Sequence, residues 1–203
     1  MRCRPFLTPL CITMNIRKLF PSEVAKLSGH LARLTPSARS LRFMGGMGDV
    51  AVRAHCERLN WFRTVVIACF DAGVLRGAAE LHVVDNHLPV LCEVAITVEG
   101  AWQDQGVATE LLRRVLVIAS NRSARGVQIN CFGDNYQIQH IAQKFGAQFR
   151  CRAAESEAEI PTPAPTYASL CEEMTDDGFG WMSFWLDQMS PQPHAMMPQT
   201  AIN

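Results

Sequence analysis

Residues 91–119 read LCEVAITVEGAWQDQGVATELLRRVLVIA, and this segment has a clear strand–loop–helix pattern. Leu91–Val98 is apolar on both faces except at Glu93 and Thr97, which is typical of a central strand of a sheet. Val107–Ala119 then repeats apolar residues along one face at helical spacing. The loop between them places small residues where the helix begins. We therefore expect uncovered backbone N–H groups at the start of this helix.

The flanking sequence predicts a mixed sheet around this unit. Thr64–Phe70 and Val74–Val84 are extended runs joined by a turn signal, which indicates a β-hairpin. Val127–Phe132 is a further strand, and a strand–helix–strand order of this length predicts a parallel pair. Ala147–Cys151 and Glu157–Ile160 are candidates for the closing strands.

Helices are predicted on either side of these strands. The segment after Pro21 shows helical spacing, with Ser22 as its N-cap. Shorter helices are expected over residues 37–43 and 49–59. Asp134-Asn135 begins another helix, which ends at Gly146. The fold class is therefore α/β of the α+β type, with a mostly antiparallel central sheet flanked by helices.

Three parts of the chain are distinguished. We expect residues 1–14 to be disordered, or translation to begin at Met14, and residues 15–160 to form the main domain. Residues 161–203 are predicted to comprise a stiff proline-rich linker, an aromatic and acidic helix over 167–189, and a flexible tail. This helix is expected to pack on the domain or on a partner subunit, so a homodimer is possible.

The charge balance argues against some partners. The 203 residues have a formal net charge of zero, which disfavours a nucleic-acid binder. No apolar run is long enough for a membrane span. Residues 1–63 are mainly basic and residues 151–203 mainly acidic. Either these are two complementary surfaces in contact, or the acidic part attracts a cationic substrate.

The eight cysteines form no CxxC pair and no cluster with metal-ligand spacing, so no metal site is predicted. Most lie in apolar runs and are interpreted as buried thiols in a reducing, cytoplasmic compartment. Cys131 lies near the expected site, where a packing role is favoured over catalysis.

The loop WQDQGVA at 102–108 is the strongest candidate for a binding site. A helix start with exposed N–H groups and a partial positive charge attracts anions, and Gly106 and Ala108 leave room for a phosphate. Thr109 can add a hydroxyl donor and Gln103 an amide. The pattern is neither the Walker motif nor the dinucleotide fingerprint.

In this context the segment from Val65 to Phe149 resembles the GNAT superfamily of N-acetyltransferases. The matching parts are EVAITVEG, WQDQGVA with the helix TELLRRVL, the strand VQINCFGDN, and the helix that ends in KFGAQF. The segments LRF, CEVAITVEGAWQDQG and KFGAQF are most similar to stand-alone domains related to bacterial protein-lysine acetyltransferases. The resemblance implies that the parallel strands splay apart to open a cleft.

The resemblance also implies a cofactor, acetyl-coenzyme A (acetyl-CoA), used as co-substrate. Its pyrophosphate would bind at the loop, and backbone groups of the preceding strand would pair with its pantetheine arm like an added strand. An asparagine at the start of the next helix commonly contacts this arm in the family. The residues implied are Ile96, Thr97, Val98, Gln103, Gln105, Gly106, Val107, Ala108, Thr109 and Asn135.

Glu93 is the candidate catalytic base. It lies in an otherwise apolar strand, where a carboxylate can exchange a proton near neutral pH, and the family often holds a catalytic glutamate there. A structural glutamate paired with an arginine is the alternative. Glu80 is the second candidate, and His82 on the same strand can titrate.

The sequence departs from the family at the general acid. Many members place a tyrosine about four residues before the closing glycine, where this chain has Ala142, and Tyr136 lies at the other end of that helix. Two functions stay open. The first is transfer of an acetyl group to a primary amine, on a protein lysine or a small molecule. The second is a non-catalytic module that binds or senses acyl-CoA.

Overall fold

The computed structural model describes residues 14–85, 90–152 and 155–189 of the 203. The predicted disordered start and flexible tail therefore lie almost wholly outside the described residues. The strands are β1 (Asn15–Lys18), β2 (Thr64–Asp71), β3 (Val74–Asp85), β4 (Val90–Val98), β5 (Ala124–Phe132), β6 (Gln148–Arg152) and β7 (Glu155–Pro161). The helices are α1 (Val24–Arg33), α2 (Pro36–Phe43), α3 (Asp49–Glu57), α4 (Val107–Asn121), α5 (Tyr136–Gln143) and α6 (Tyr167–Met189).

The seven strands form one sheet in the order β1-β2-β3-β4-β5-β7-β6. Every neighbouring pair is antiparallel except β4 and β5, which are parallel. Helix α4 supplies the crossover that a parallel pair requires. The predicted mixed, mostly antiparallel sheet with one parallel pair is confirmed.

The parallel strands β4 and β5 separate partway along their length. They pair from Val90 opposite Ala124 to Glu93 opposite Gln128. Beyond this point β4 continues on β3 as far as Val98, whereas β5 continues on β7. One edge of Val94–Val98 is thus left without a partner strand, and a wedge opens between the two strands.

Each face of the sheet carries its own apolar core, because alternate residues of a strand point to opposite faces. On one face α4 buries Leu111, Leu112 and Val115 against Leu81 and Val94. On the other face α1 and α3 bury a second set of side chains, including Leu27, Leu31, Val52, Val66 and Phe70. These two layers of helices hold the sheet and fix the position of the wedge.

Two local predictions were wrong. Ser22 is not the N-cap of α1, because Pro21–Glu23 forms a separate 3-10 turn before α1 begins at Val24. Pro161 is not part of the linker, because it is the last residue of β7 and lies opposite Gly126. Strand β1 was not predicted at all.

Helix α6 packs on the domain through ion pairs. Lys18 binds both Glu173 and Asp177, with Nζ–oxygen distances of 2.6 and 2.8 Å. Arg17 binds Asp187 at 3.1 Å. The basic start and the acidic end of the chain are therefore complementary surfaces in contact, the first of the two interpretations of the charge asymmetry.

The described residues include no helix with the length and apolar character needed to cross a membrane.

Candidate active site

A cavity of about 480 Å³ occupies the wedge between β4 and β5. Its walls are Val94–Val98 of β4 and Ile129–Cys131 of β5. The start of α4 and one side of α5 close it, and residues of α2 lie at the opposite side. This volume is typical of a small-molecule site.

The start of α4 faces this cavity. Gly106 is the N-cap with φ of 81°, a left-handed conformation that glycine adopts without strain. A Cβ atom built there meets no atom within 4 Å, so the approach to the helix start is open. No side chain caps the helix, and the N–H groups of Val107, Ala108 and Thr109 lack partners one turn back. This end of the cavity is therefore suited to an anion.

The cavity brings together nine of the ten residues expected to bind the cofactor. They are Ile96, Thr97, Val98, Gln103, Gly106, Val107, Ala108, Thr109 and Asn135. The tenth, Gln105, lies outside the lining, and its exposed side-chain amide donates to the carbonyl oxygen of Ala101 at 2.8 Å.

The loop before α4 is tied to the end of β4. The side-chain amide of Gln103 donates to the carbonyl oxygen of Val98 at 3.0 Å. The guanidinium of Arg76 lies 4.1 Å from the ring centre of Trp102 and donates to Glu99 at 3.0 Å. These contacts hold the loop in place, so the helix start is organised before any ligand binds.

A buried polar network supports the same strand from behind. His30, which is fully buried, contacts the hydroxyl of Thr97 through Nε2 at 2.9 Å and Glu99 through Nδ1 at 3.1 Å. Burial lowers the pKa of His30 despite the carboxylate beside it. Burial would raise the pKa of Glu99, but hydrogen bonds from Arg33, His30 and Arg76 outweigh it and hold this pKa low.

Glu93 lies at the vertex of the wedge, as the last β4 residue that pairs with β5. It is half-buried, and the side-chain amide of Asn130 donates to its Oε1 at 3.0 Å. Glu93 itself does not line the cavity, whereas its neighbours Asn130 and Val94 do. Among the described residues no arginine contacts Glu93, unlike the alternative in which Glu93 is a structural glutamate paired with an arginine.

Glu80 is held very differently. It is 1% exposed, and its carboxylate accepts from Arg42 at 2.7 Å and contacts His55 at 3.1 Å. Burial would raise the pKa of Glu80, but Arg42 and His55 outweigh it and lower the pKa to about 2. A carboxylate with this pKa is a weak base, so the geometry disfavours Glu80 as the proton acceptor.

Helix α5 forms the far wall of the cavity, but its tyrosine does not line the cavity. Asn135 is its N-cap and accepts from the backbone N–H of Ile138 at 3.4 Å. Ala142 is fully buried in the core and does not line the cavity. Tyr136 is 73% exposed and also lies outside the lining. Neither position supplies a hydroxyl to the cavity, which agrees with the departure seen in the sequence.

Several lining residues were not found from the sequence. Leu34, Ala38, Leu41 and Arg42 come from the segment between β1 and β2, His140 comes from α5, and Lys144 is the C-cap of that helix. None of them belongs to a motif. The helical spacing of Ala38, Leu41 and Arg42 was the available signal, and it also fits an ordinary core-facing helix.

The thiols follow the expected pattern. Cys56, Cys69 and Cys92 are buried, and burial raises the pKa of Cys56 and of Cys69 to about 11. Cys131 is buried at the cavity wall. Burial therefore accounts for Cys56, Cys69 and Cys92, and for Cys131 the packing role stays a prediction.

Comparisons with known proteins agree with this geometry. A model of the acetyltransferase (GNAT) family matches residues 39–147. The GNAT domain of S. lividans PAT superposes with a TM-score of 0.64 at 18% identity, over 73% of this chain and 90% of that one. A search of the curated proteins found no match.

Two further neighbours were solved with the cofactor or its product. The yncA protein of Salmonella typhimurium, with acetyl-CoA, has a TM-score of 0.58 at 15% identity and covers 76% and 98% of the two chains. RimL, a ribosomal L7/L12 α-N-protein acetyltransferase with coenzyme A, has a TM-score of 0.60 at 14% identity and covers 76% and 97%.

The open start of α4 at the end of an apolar wedge fits acetyl-CoA, which has an anionic pyrophosphate and a long pantetheine arm. The family match spans more than half of the chain and includes β4, the loop, α4 and α5. The chain belongs to the GNAT family of acetyltransferases.

Proposed function

We propose that this protein is an N-acetyltransferase that moves the acetyl group of acetyl-CoA to a primary amine. The observation that carries the proposal is the wedge between β4 and β5, which has an open helix start at one end and Glu93 at its vertex. In the reaction a C–N bond forms to the amine nitrogen and the C–S bond of the thioester breaks. The amine loses a proton, and the sulfur leaves as coenzyme A thiol.

The chain's own groups would hold the cofactor. The backbone N–H groups of Val107, Ala108 and Thr109 bind the pyrophosphate, aided by the partial positive charge of the helix start. The unpaired edge of Ile96–Val98 bonds to the amides of the pantetheine arm, as a peptide adds to a sheet edge. Asn135 borders the same arm. When bound, acetyl-CoA supplies an acetyl group activated as a thioester.

Glu93 would accept the proton of the incoming amine. A primary amine is mostly protonated at neutral pH and must lose a proton before it can attack. The carboxylate of Glu93 is half-buried, oriented by Asn130 and next to the lining of the cavity. The amine enters from the side of α2, across from the cofactor loop. We propose a protein lysine or a small amine as the acceptor.

One observation favours a second candidate, a module that binds acyl-CoA without transferring it. Neither Ala142 nor Tyr136 presents a hydroxyl to the cavity, so α5 offers no tyrosine to protonate the leaving thiolate. A solvent water or the proton taken from the amine can serve instead. Transfer activity therefore separates the two candidates, and cofactor binding does not.

The test is an acetyl-transfer assay with lysine peptides and polyamines, comparing the wild type with Glu93→Gln. We expect transfer by the wild type and a loss of about 100-fold or more in the variant at pH 7.5, with acetyl-CoA affinity unchanged. Because raising the pH deprotonates the amine without a base, the gap between the two enzymes should narrow towards pH 10.

Glu57→Gln is the matched control, since Glu57 is exposed at the end of α3. It should transfer acetyl groups at the wild-type rate. A wild type that binds acetyl-CoA but acetylates no amine of the panel would favour the binding module. Equal rates in the wild type and Glu93→Gln would remove Glu93 from the mechanism.

A further inference from the structure

Helix α6 lies on the domain mainly by its charged side, and Phe184 and Trp181 also pack against Phe20, with ring centres 4.5 Å apart in both pairs. Its five acids are Glu172, Glu173, Asp176, Asp177 and Asp187, and each is paired with a basic side chain of β1 or α4. Gly180 also lies on this inner side, where a Cβ atom would come within 3.2 Å of Arg17. An ordinary surface helix turns its apolar side inward, whereas most of the large apolar side chains of α6 face away from the domain.

The outward side of α6 is therefore apolar and free of charge. Its large side chains are 45–85% exposed, and they are Tyr167, Leu170, Met174, Trp181, Met182, Trp185, Leu186 and Met189. The sequence of α6 has no lysine, arginine or histidine. We call these eight side chains, together with Gly178, the outer face of α6.

The outer face is too large for an isolated monomer. At roughly 200 Å² for each large side chain, exposure of about 60% leaves on the order of 1,000 Å² of apolar surface. The largest patch on a typical monomer is about 300–600 Å². A standard interface buries about 800 Å² from each partner, so the outer face is sufficient for a stable complex.

The outer face is also self-complementary under a two-fold axis. Gly178 is the midpoint of Tyr167–Met189, and nothing lies within 4 Å of a Cβ atom built there. In an antiparallel pair of helices centred at this glycine, each residue meets the one equally distant on the other side. Met174 then faces Met182, and Leu170 faces Leu186. The missing side chain at the axis allows the two helices to approach closely.

We infer that the outer face of α6 binds a second copy of this chain, with the two helices antiparallel and crossing at Gly178. A two-fold interface uses the same patch on both subunits, and every such pairing along this face is uncharged. A membrane surface fits less well, because helices that lie on membranes carry basic residues and α6 carries five acids. An unrelated partner would find no charge on this face to orient it.

The first test is the mass of the full chain by light scattering at about 20–50 µM. We expect twice the 22.6 kDa of one chain. Met174→Lys and Met182→Glu should each raise the dissociation constant of the dimer by 100-fold or more, because each places a charge against an apolar side chain. Both side chains are more than half exposed, so the fold should be kept, and circular dichroism checks this.

The double variant, Met174→Lys with Met182→Glu, tests the register. In the antiparallel pair the new lysine of one copy faces the new glutamate of the other, at two symmetric positions. We expect the dimer of the double variant to have a dissociation constant at least tenfold lower than that of either single variant. In a parallel pair lysine would face lysine, and no recovery would follow. Val50→Lys is the matched control, because Val50 is 86% exposed on α3, and it should stay dimeric.

A wild type that is monomeric at 50 µM, or single variants that stay dimeric, would overturn the inference. A double variant no tighter than the singles would overturn the antiparallel register. Flotation with phosphatidylserine vesicles gives a further check, since a monomer that binds these vesicles through α6 would replace the dimer with a membrane surface. These outcomes do not depend on acetyl transfer.

Discussion

Removing the charge of Glu80 should make the stability of the protein less dependent on pH. The pKa of this buried carboxyl is about 2 in the folded chain against an ordinary 4.5, because Arg42 and His55 outweigh the effect of burial. The pKa is lowered on folding, so the stabilisation is complete above pH 4.5 and is lost as the pH falls towards 2. The difference corresponds to about 3 kcal/mol at pH 7.

Glu80→Gln should therefore lower the free energy of unfolding by about 3 kcal/mol at pH 7. By pH 3 the wild type itself retains only about half of this contribution, so the difference in unfolding free energy between the two proteins should be about half as large. Urea unfolding followed by tryptophan fluorescence at pH 7, 5, 4 and 3 measures the gap directly.

Other paired acids also titrate in this range, but they affect both proteins alike. Glu57→Gln, at an exposed position, should follow the wild type at every pH. A gap between the wild type and Glu80→Gln that is below 1 kcal/mol at pH 7, or that stays constant down to pH 3, would refute the assignment of Glu80 as a buried, ionised partner of Arg42.

Two further substitutions test packing, one against the start of α4 and one at the buried ion pair of β1. Gly77→Val should cost about 1–3 kcal/mol of unfolding free energy and weaken acetyl-CoA binding, because a Cβ atom there comes within 3.1 Å of Val107 at the start of α4. A variant with the stability and the acetyl-CoA affinity of the wild type would contradict this prediction. Arg17→Met should cost about 3–5 kcal/mol, because Glu23 is 3% exposed and would lose its bidentate partner. A loss under 1 kcal/mol in urea unfolding would contradict that account.

The sequence was informative where local chemistry fixes the structure. The apolar run of β4, the small residues at the start of α4 and the asparagine before α5 are each adequate local signals, and together they located most of the cavity. The resemblance to the family then assigned a ligand to it. Nine of the expected cofactor residues line the cavity because they lie on this one continuous strand–loop–helix unit and at the next helix start.

Other features depend on contacts between distant parts of the chain. Strand β1 has only four residues and its buried side chain is Arg17, so it shows no alternating apolar pattern. It is stabilised by pairing with β2 and by Glu23 and Asp187. Nothing local in the sequence indicates these partners.

The two glutamates illustrate the same limit. Glu80 and Glu93 both lie in apolar strands, and the sequence alone could not separate their roles. The difference is in their partners, since Arg42 and His55 fix Glu80 whereas Asn130 contacts Glu93. Likewise, the aromatic content of α6 predicted a helix, but its ion pairs and the exposure of its side chains show that most of its apolar side faces outward.

Calorimetric titration of acetyl-CoA into three proteins tests whether the start of α4 binds the pyrophosphate of acetyl-CoA. Ala108→Asp places a carboxylate at the second position of α4, where an acid favours the helix but repels the pyrophosphate. Ser37→Asp places the same charge at the second position of α2, outside the cavity lining. We expect micromolar binding by the wild type and Ser37→Asp, and binding weaker by roughly 30- to 150-fold in Ala108→Asp. Equal affinities in all three folded proteins, or no binding by the wild type, would contradict the account.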